Sequence, residues 1–241
     1  MTHADNAALV LVRHEWLRRV EAEYRSSVIT QTLTLWMTQA AVSPDLIAEG
    51  LRIAQDEMDH ASLSMEVFLA AGGTEMPRLD RESLIFSRTA GASLEDDILR
   101  IGLDSFCLGE TVAVPLFRAL REGCTEPVAR AALDRILKDE VRHRDFGWAL
   151  LEWMLESDSS RRSLVERALP SSFRTIRASY APAFSGNVAK LPEGAIRWGL
   201  MDAPVYAESV QRAWERDWQP RFAKLGVDAD AAWNAALSAP R

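Results

Sequence analysis

The stretch Asp56-Glu57-Met58-Asp59-His60 recurs later in the chain as Asp139-Glu140-Val141-Arg142-His143. Both copies follow the pattern Asp-Glu-x-x-His, and both lie in long segments whose apolar residues recur at helical spacing. Because residues three positions apart share one face of an α-helix, the Glu and the His of each copy can reach the same ion. The repeated pentapeptide therefore predicts two helices that each present a carboxylate and an imidazole.

A further carboxylate precedes each copy: Glu23 before the first and Glu110 before the second. The sequence midway between the two glutamates of the second pair is Gly123-Cys124-Thr125-Glu126-Pro127, which is typical of a turn. Midway between those of the first pair, a helix break follows at Ala41-Val42-Ser43-Pro44-Asp45, where a serine can cap and a proline can start a helix. Residues equidistant from a short turn lie at the same height in two antiparallel helices. Each predicted hairpin therefore brings its two glutamates level.

One glutamate from each of two helices and Glu-x-x-His from each of two others is the ligand pattern of dimetal four-helix bundles. Carboxylate oxygen and imidazole nitrogen suit iron or manganese, which can change oxidation state and reduce dioxygen. Four carboxylates and two divalent ions sum to zero charge, which suits a buried site, whereas an empty site would have to take up protons. The predicted metal ligands are Glu23, Glu57, His60, Glu110, Glu140 and His143, and we assign no catalytic residue beyond them.

The aspartate before each motif glutamate is a candidate partner for a ligand histidine. A metal-bound histidine usually donates its second ring N–H to a carboxylate. We expect Asp139 to serve His60 and Asp56 to serve His143, each across to the opposite helix. Arg142, directly before His143, is assigned to the same outer layer of the site.

The apolar pattern predicts an all-α fold: a four-helix core over about residues 5–156 with a long crossover between its hairpins, and additional covering helices over about 157–241. The whole chain is expected to be a single domain, 1–241. Pro115 is expected to disturb the third helix near Glu110, and Pro170 to interrupt a C-terminal helix. The predicted helices span residues 4–39, 44–71, 93–122, 127–156, 193–225 and 230–237, with a loop over 180–192.

Side chains close to the predicted ligands on the same helices are candidates for lining a substrate pocket. They lie one or two helical turns from Glu23 or Glu110, and one carboxylate on the last long helix could add a ligand. The candidate pocket residues are Ser27, Thr30, Phe106, Cys107, Ala113, Val114, Phe117 and Glu208.

Composition narrows the class of protein. The chain has 241 residues, 48% of them hydrophobic, and a formal net charge of −7, which argues against unspecific binding to nucleic acid. Its two cysteines lie far apart and outside any C-x-x-C motif, which favours a reduced compartment. The polar start and the lack of a long apolar run predict neither a signal peptide nor a membrane partner. The expected location is the cytoplasm.

The paired motifs, with Glu23 and Glu110, resemble the ferritin-like superfamily of di-iron oxygenases and oxidases over residues 15–155. The second copy is similar to the corresponding segment of soluble bacterial di-iron monooxygenases, in which the cross-helix Asp–His arrangement is also found. Chain length and ligand spacing resemble compact members, such as aldehyde-deformylating oxygenases and arylamine N-oxygenases. The resemblance implies a ferritin-like four-helix bundle that holds two iron ions, with Mn/Fe or manganese as alternatives.

The same resemblance implies the reaction and the partners. The partners would be dioxygen, a small organic substrate and an external electron donor of the reductase or ferredoxin type. The outcome would be hydroxylation, N-oxygenation, desaturation or oxidative cleavage. The Trp-rich apolar helices of the C-terminal part are consistent with a homodimer.

Two other classes of protein would use the same ligands. One is a manganese catalase or another peroxide-scavenging enzyme, and the other is a non-enzymatic iron-binding or storage bundle. Phe106 and Phe117 beside Glu110, together with the C-terminal helices, favour an apolar substrate chamber over a catalase. The long C-terminal extension argues against a storage cage, whose bundles need much less chain. Metal content and reactivity discriminate among the three.

Overall fold

The computed structural model describes residues 3–179 and 190–238, and these residues form helices and no β-strand. The all-α prediction is confirmed. Within those ranges, every helix falls short of the length or the apolar character that a membrane crossing requires. The elements are α1 His3–Gln39, α2 Pro44–Ala70, a 3-10 turn Glu82–Leu84, α3 Leu94–Ile101, a π-helical segment π1 Gly102–Glu110, α4 Thr111–Gly123, α5 Pro127–Ser157, α6 Arg161–Ser179, α7 Glu193–Ile196, α8 Ala203–Ala213, a second π-helical segment π2 Trp214–Trp218, α9 Gln219–Lys224 and α10 Asp230–Ser238.

The described residues cluster into two compact units. Each unit contains three of the six predicted metal ligands: Glu23, Glu57 and His60 in unit 1, and Glu110, Glu140 and His143 in unit 2. The single-domain boundaries stay a prediction. Unit 1 draws on Met1–Thr89, Phe117–Asp139 and Ala189–Asp202, and unit 2 on Ala90–Leu116, Glu140–Val188 and Ala203–Arg241.

The α1–α2 hairpin forms most of unit 1. The chain turns at Ala41, whose φ is +53°, and Pro44 then occupies the first turn of α2. Ser43 stands at the capping position, but its side chain makes no capping hydrogen bond. Across the hairpin, Ser27 Oγ donates to the carbonyl of Ala54 at 2.9 Å, which fixes the register of the two antiparallel helices. The predicted hairpin and its helix boundaries are confirmed.

The third helix of the sequence prediction lies mostly in unit 2 and is not uniformly α-helical. It begins at the predicted cap, where Ser93 Oγ accepts from the N–H of Asp96 at 3.0 Å and the two form a capping box. It changes to π-helical geometry over π1, which ends at Glu110. The expected disturbance near Glu110 is therefore present. It precedes Pro115, which itself lies inside α4, and does not take the form of a kink at the proline.

Side chains and carbonyls from other elements of unit 2 hold π1 in place. Trp218 Nε1 donates to the carbonyl of Cys107 at 3.0 Å, and the Cys107 thiol donates to the carbonyl of Gly147 at 3.2 Å. Ser172 Oγ on α6 donates to the Asp104 carboxylate, whose pKa burial raises above its usual range. Isolated π-helical turns are rare and need such support. The C-terminal helices thus stabilise the segment that carries Glu110.

Gly147 of α5 packs directly against the backbone of π1, and this contact leads to a stability prediction. A Cβ at this position would lie 2.6 Å from Phe106 Cβ and 2.9 Å from the Cys107 backbone nitrogen. We expect Gly147→Ala to lower the free energy of unfolding by about 1–3 kcal/mol, because backbone must shift to relieve the overlap. Gly109→Ala is the matched control, since its added Cβ meets only the Asp104 carbonyl at 3.5 Å. Urea denaturation of both variants measures the difference. Equal stabilities would show that α5 and π1 leave room for a Cβ at residue 147.

Two predictions about the C-terminal helices are wrong. α6 continues through Pro170, because its buried Leu169 and Phe173 anchor it on both sides of the proline. The long helix predicted over 193–225 is broken between α7 and α8, where Gly199 has φ +80°. The carbonyl of Arg197 there accepts two backbone N–H groups from the turn before α5, so it does not continue a helix. The predicted loop lies largely outside the described residues, and the short last helix is confirmed as α10.

Candidate metal centre

The three predicted ligands of unit 1 form one buried cluster. Glu23 lies in the middle of α1, while Glu57 and His60 lie one turn apart on α2, and all three are buried. His60 Nδ1 is 3.6 Å from Glu57 Oε2, so the predicted common face exists. The side chains of Glu23 and Glu57 share a hydrogen bond. Three donors of the type that iron and manganese prefer therefore converge.

The electrostatics of this cluster favour a cation. Burial raises the pKa of Glu23 to about 8, and the negative charge of Glu57 adds to the increase. His60 and the nearby Arg19 lower the pKa, but by less. In the metal-free protein a proton is therefore shared between the two carboxyl groups. A metal ion at this position would displace that proton and satisfy both carboxylates.

Asp139 lies directly behind His60, as the sequence predicts. Its Oδ2 is 3.2 Å from His60 Nε2, and both side chains are buried. When the carboxylate accepts the Nε2 proton, the lone pair of the imidazole is on Nδ1, the nitrogen that faces Glu57. This hydrogen bond sets both the tautomer and the orientation of the ring for metal binding.

Arg135 supports the aspartates, and the sequence analysis missed it. Its Nε donates to Asp139 Oδ2 at 2.5 Å, and its Nη2 lies 3.6 Å from Asp56 Oδ1 and 3.9 Å from Asp59 Oδ2. Its pKa is raised, first by the hydrogen bond to Asp139 and then by that carboxylate's charge. The available signal was its spacing, one helical turn before Asp139 on α5. The pairing of Asp56 with His143 and the role of Arg142 stay predictions.

Removing the carboxylate behind His60 should weaken metal binding without removing a ligand. We expect Asp139→Ala to lower metal affinity about 10- to 100-fold, as the loss of such outer partners does in metal sites. Asp134→Ala is the control, because Asp134 lies on the same helix in a half-exposed ion pair with Arg121 and Arg130. Competition titration with a chromophoric chelator measures both. Unchanged affinity in Asp139→Ala would remove this residue from the site.

The three predicted ligands of unit 2 come from α5 and from the end of π1. Glu140 and His143 are buried one turn apart, with His143 Nδ1 3.9 Å from Glu140 Oε2. Glu110 is half-buried at the last position of π1. The residue after it, Thr111, accepts a hydrogen bond from Trp148 Nε1 at 2.9 Å. The acceptor is the Thr111 hydroxyl, so the bond holds the side chain of the residue that follows Glu110.

Each unit brings ligand atoms close enough together to share a metal ion. In unit 1, ligand atoms of Glu23 and His60 lie within 4.8 Å of each other, and in unit 2 those of Glu110 and His143 do the same. Every predicted ligand except Glu110 is buried. Each unit supplies two carboxylates and one imidazole, so the donor chemistry fits iron or manganese.

The candidate pocket residues differ in burial and in hydrogen bonding. The hydroxyls of Ser27 and Thr30 are buried but donate to backbone carbonyls of Ala54 and Ser26, so they are engaged within the fold. Glu208 is exposed while Ser209 beside it is buried, so α8 turns its other face inward and Glu208 does not wall an interior pocket. Phe106, Cys107 and Val114 are buried, whereas Ala113 and Phe117 are half-buried.

Comparisons of the chain with protein-family models, with curated proteins and with solved structures gave no match.

Proposed function

We propose that the chain is a ferritin-like di-iron oxidoreductase that uses dioxygen to oxidise a small organic substrate. The ligands would be Glu23, Glu57 and His60 from unit 1 and Glu110, Glu140 and His143 from unit 2. Under this proposal α1, α2, the third helix and α5 make a ferritin-like four-helix bundle. The expected location is the cytoplasm.

The observation that carries the proposal is the donor set. The set comprises four carboxylates and two imidazoles, five of the six buried; ligand atoms of Glu23 and His60 in unit 1, and of Glu110 and His143 in unit 2, lie within 4.8 Å of each other. Buried carboxylates that share a proton, as Glu23 and Glu57 do, are costly unless a cation neutralises them. Structural zinc sites use mainly cysteine and histidine, and neither Cys107 nor Cys124 is among the converging donors. Oxygen-rich sites with one imidazole each favour iron or manganese.

The remaining contacts support a site built to hold its ligands in fixed positions. Arg135 and Asp139 orient His60. Trp218 holds the backbone carbonyl of Cys107 before Glu110, and Trp148 holds the side-chain hydroxyl of Thr111 after it. The side chain of Phe106 is buried one turn from Glu110 and helps to exclude water. Bound iron would supply electrons for the reduction of dioxygen, and an external donor would replace them. In a hydroxylation, one oxygen atom enters the substrate and the other leaves as water, with two electrons and two protons consumed.

Metal content and reactivity test the proposal together. The protein is purified from cells grown without added metal bias, and its metals are quantified. The metal-free protein is then loaded anaerobically with Fe(II) and exposed to dioxygen under optical monitoring. We expect about two iron ions per chain and an absorbance change on oxygen exposure.

Other outcomes point elsewhere. Bound manganese with turnover of peroxide would replace the proposal with a catalase-like activity. Folded protein without stoichiometric metal would mean that both pentapeptides are ordinary charged segments. Iron uptake in large excess of two per chain would indicate storage.

A further inference from the structure

Arg19 is a buried cation one helical turn before the ligand Glu23. The residue is only 8% exposed. Its guanidinium carbon lies 4.3 Å from the ring centroid of Trp16 and 5.3 Å from that of Phe117. Across residues 3–179 and 190–238, nothing accepts a hydrogen bond from its Nη1, which is itself buried. The structure thus holds a guanidinium donor in its interior without an acceptor.

Such a donor is costly unless something is bound to it. A buried arginine is normally paired, and a buried N–H without an acceptor forfeits the hydrogen bonds that it makes in water. Contact with aromatic faces offsets part of the charge but supplies no acceptor at the edge of the guanidinium. The Trp16 ring is itself fixed, since its Nε1 donates to the carbonyl of Trp198 at 3.0 Å. The guanidinium is therefore held in a defined position, and its Nη1 group can donate a hydrogen bond to a bound ligand.

Ser64 is a second buried donor of the same kind. It is fully buried on α2, and within the described part of the chain its Oγ has no hydrogen-bond partner. It follows the ligand His60 by one helical turn, just as Arg19 precedes Glu23 by one turn. Because α1 and α2 are antiparallel, both displacements point the same way along the hairpin, away from its turn.

The register of the hairpin puts the two donors at the same height. The Ser27–Ala54 hydrogen bond aligns α1 with α2 at one position. A second alignment comes from Arg13 Nη1, which donates to the Ala71 carbonyl at 3.1 Å, farther from the hairpin turn. Between these two points, residue 19 of α1 lies level with about residues 62–65 of α2. Ser64 falls in that span. Both donors therefore lie about one helical turn farther from the hairpin turn than the ligands of unit 1.

Binding of a metal ion to Glu23 would strengthen the attraction of Arg19 for an anion. In the metal-free protein the positive charge of Arg19 acts on Glu23, whose pKa it lowers. A metal ion on Glu23 would neutralise that carboxylate and leave the charge of Arg19 uncompensated in the interior. A bound anion at this level of the hairpin would compensate that charge.

We infer that Arg19 and Ser64 form a subsite that binds the carboxylate of the substrate, with the rings of Trp16 and Phe117 beside it. The inference rests on the proposed function, because it names the class of substrate that the dimetal site would oxidise. One N–H and one O–H donor match the two oxygens of a carboxylate. The spacing of one helical turn, about 5.4 Å, is within the reach of a short carboxylic acid whose carbon chain points toward the metal ligands.

A matched pair of probes tests the subsite. Hexanoate and hexan-1-ol are titrated calorimetrically into anaerobic protein loaded with Fe(II), whose iron content is measured first. We expect hexanoate to bind at least about 10-fold more tightly than hexan-1-ol, because a hydrogen bond to a charged group is worth roughly that factor or more. Equal affinities for the two probes would overturn the inference.

Substitutions at Arg19 and Ser64 test whether these residues cause the preference for hexanoate. Arg19→Gln should weaken hexanoate binding about 10- to 100-fold and leave hexan-1-ol binding unchanged. Arg18→Gln is the control, since Arg18 is its exposed neighbour, in an ion pair with Glu15. Ser64→Ala removes a single hydroxyl and should weaken hexanoate alone. It decides the question if Arg19→Gln does not fold.

The outcomes separate this inference from the proposed function. A preference for hexanoate that survives in both Arg19→Gln and Ser64→Ala would mean that the carboxylate binds the metal, and would overturn the subsite. Failure of the wild-type protein to bind iron would overturn the proposed function instead. In that case the same titration of the metal-free protein still decides whether Arg19 and Ser64 bind hexanoate.

Discussion

Replacement of His143 by alanine should abolish dioxygen consumption by the iron-loaded protein while leaving its helix content close to that of wild type. His143 is fully buried, and its ligand atom lies within 4.8 Å of that of Glu110, so its loss removes the one imidazole that unit 2 supplies to the proposed site. Glu110→Ala should have the same effect. We expect bound iron to fall from about two per chain to about one or fewer. Iron analysis, an oxygen electrode and far-ultraviolet circular dichroism measure these quantities.

The matched controls remove the same side chains from exposed positions. His14→Ala replaces an exposed histidine of α1, and Glu122→Ala an exposed glutamate of α4. Both controls should consume dioxygen at the wild-type rate. Full consumption by His143→Ala would show that the ligand assignment is wrong. Loss of helix content would show that the histidine acts in folding.

The sequence predicts those parts of the structure that depend on local chemistry. A glutamate and a histidine three positions apart share a helix face whatever surrounds them, and His60 indeed lies beside Glu57. The turn residues around Pro44 set the α1–α2 hairpin, and equal spacing from that turn brings Glu23 level with Glu57. The contact of Asp139 with His60 followed from the demand of a metal-bound imidazole for a second acceptor.

Features that depend on packing between distant segments were not predictable in the same way. The π1 segment is held by Trp218 and Ser172, which lie far along the chain, and nothing in its own sequence specifies π-helical geometry. The sequence predicts a helix break at Pro170, but α6 continues past it because Leu169 and Phe173 are buried on either side. Glu208 looked like a candidate ligand because its orientation could not be read from sequence alone.

Arg19 and Arg135 were missed for a related reason. Each lies one helical turn from a residue that the sequence analysis selected, Glu23 and Asp139 respectively, but so do several other charged residues in a chain with 26% charged content. Only burial distinguishes Arg19 from its neighbour Arg18, and only a contact distance identifies Arg135 as the partner of Asp139. Spacing supplies candidates, and tertiary structure selects among them.

The buried carboxyl group of Glu23 makes the stability of the metal-free protein depend on pH. Its pKa is about 8 in the folded protein and 4.5 as the ordinary value. Folded protein therefore holds a proton that the unfolded chain releases as the pH rises above 4.5. The stabilising contribution is complete below that value and is lost progressively until about pH 8, by at most about 1.4 kcal/mol for each pH unit.

Glu23→Gln should remove this dependence, because an amide stays neutral over the whole range. In the presence of a chelator, we expect the variant to gain stability relative to wild type as the pH rises from 5 to 8, by several kcal/mol in total. The same variant should lose metal affinity, since it lacks a carboxylate ligand. Urea denaturation at each pH gives the difference, with Glu66→Gln, an exposed carboxylate of α2, as the control. A difference that stays constant with pH would mean that Glu23 is ionised in the folded protein, and that the carboxylates of unit 1 do not need a cation.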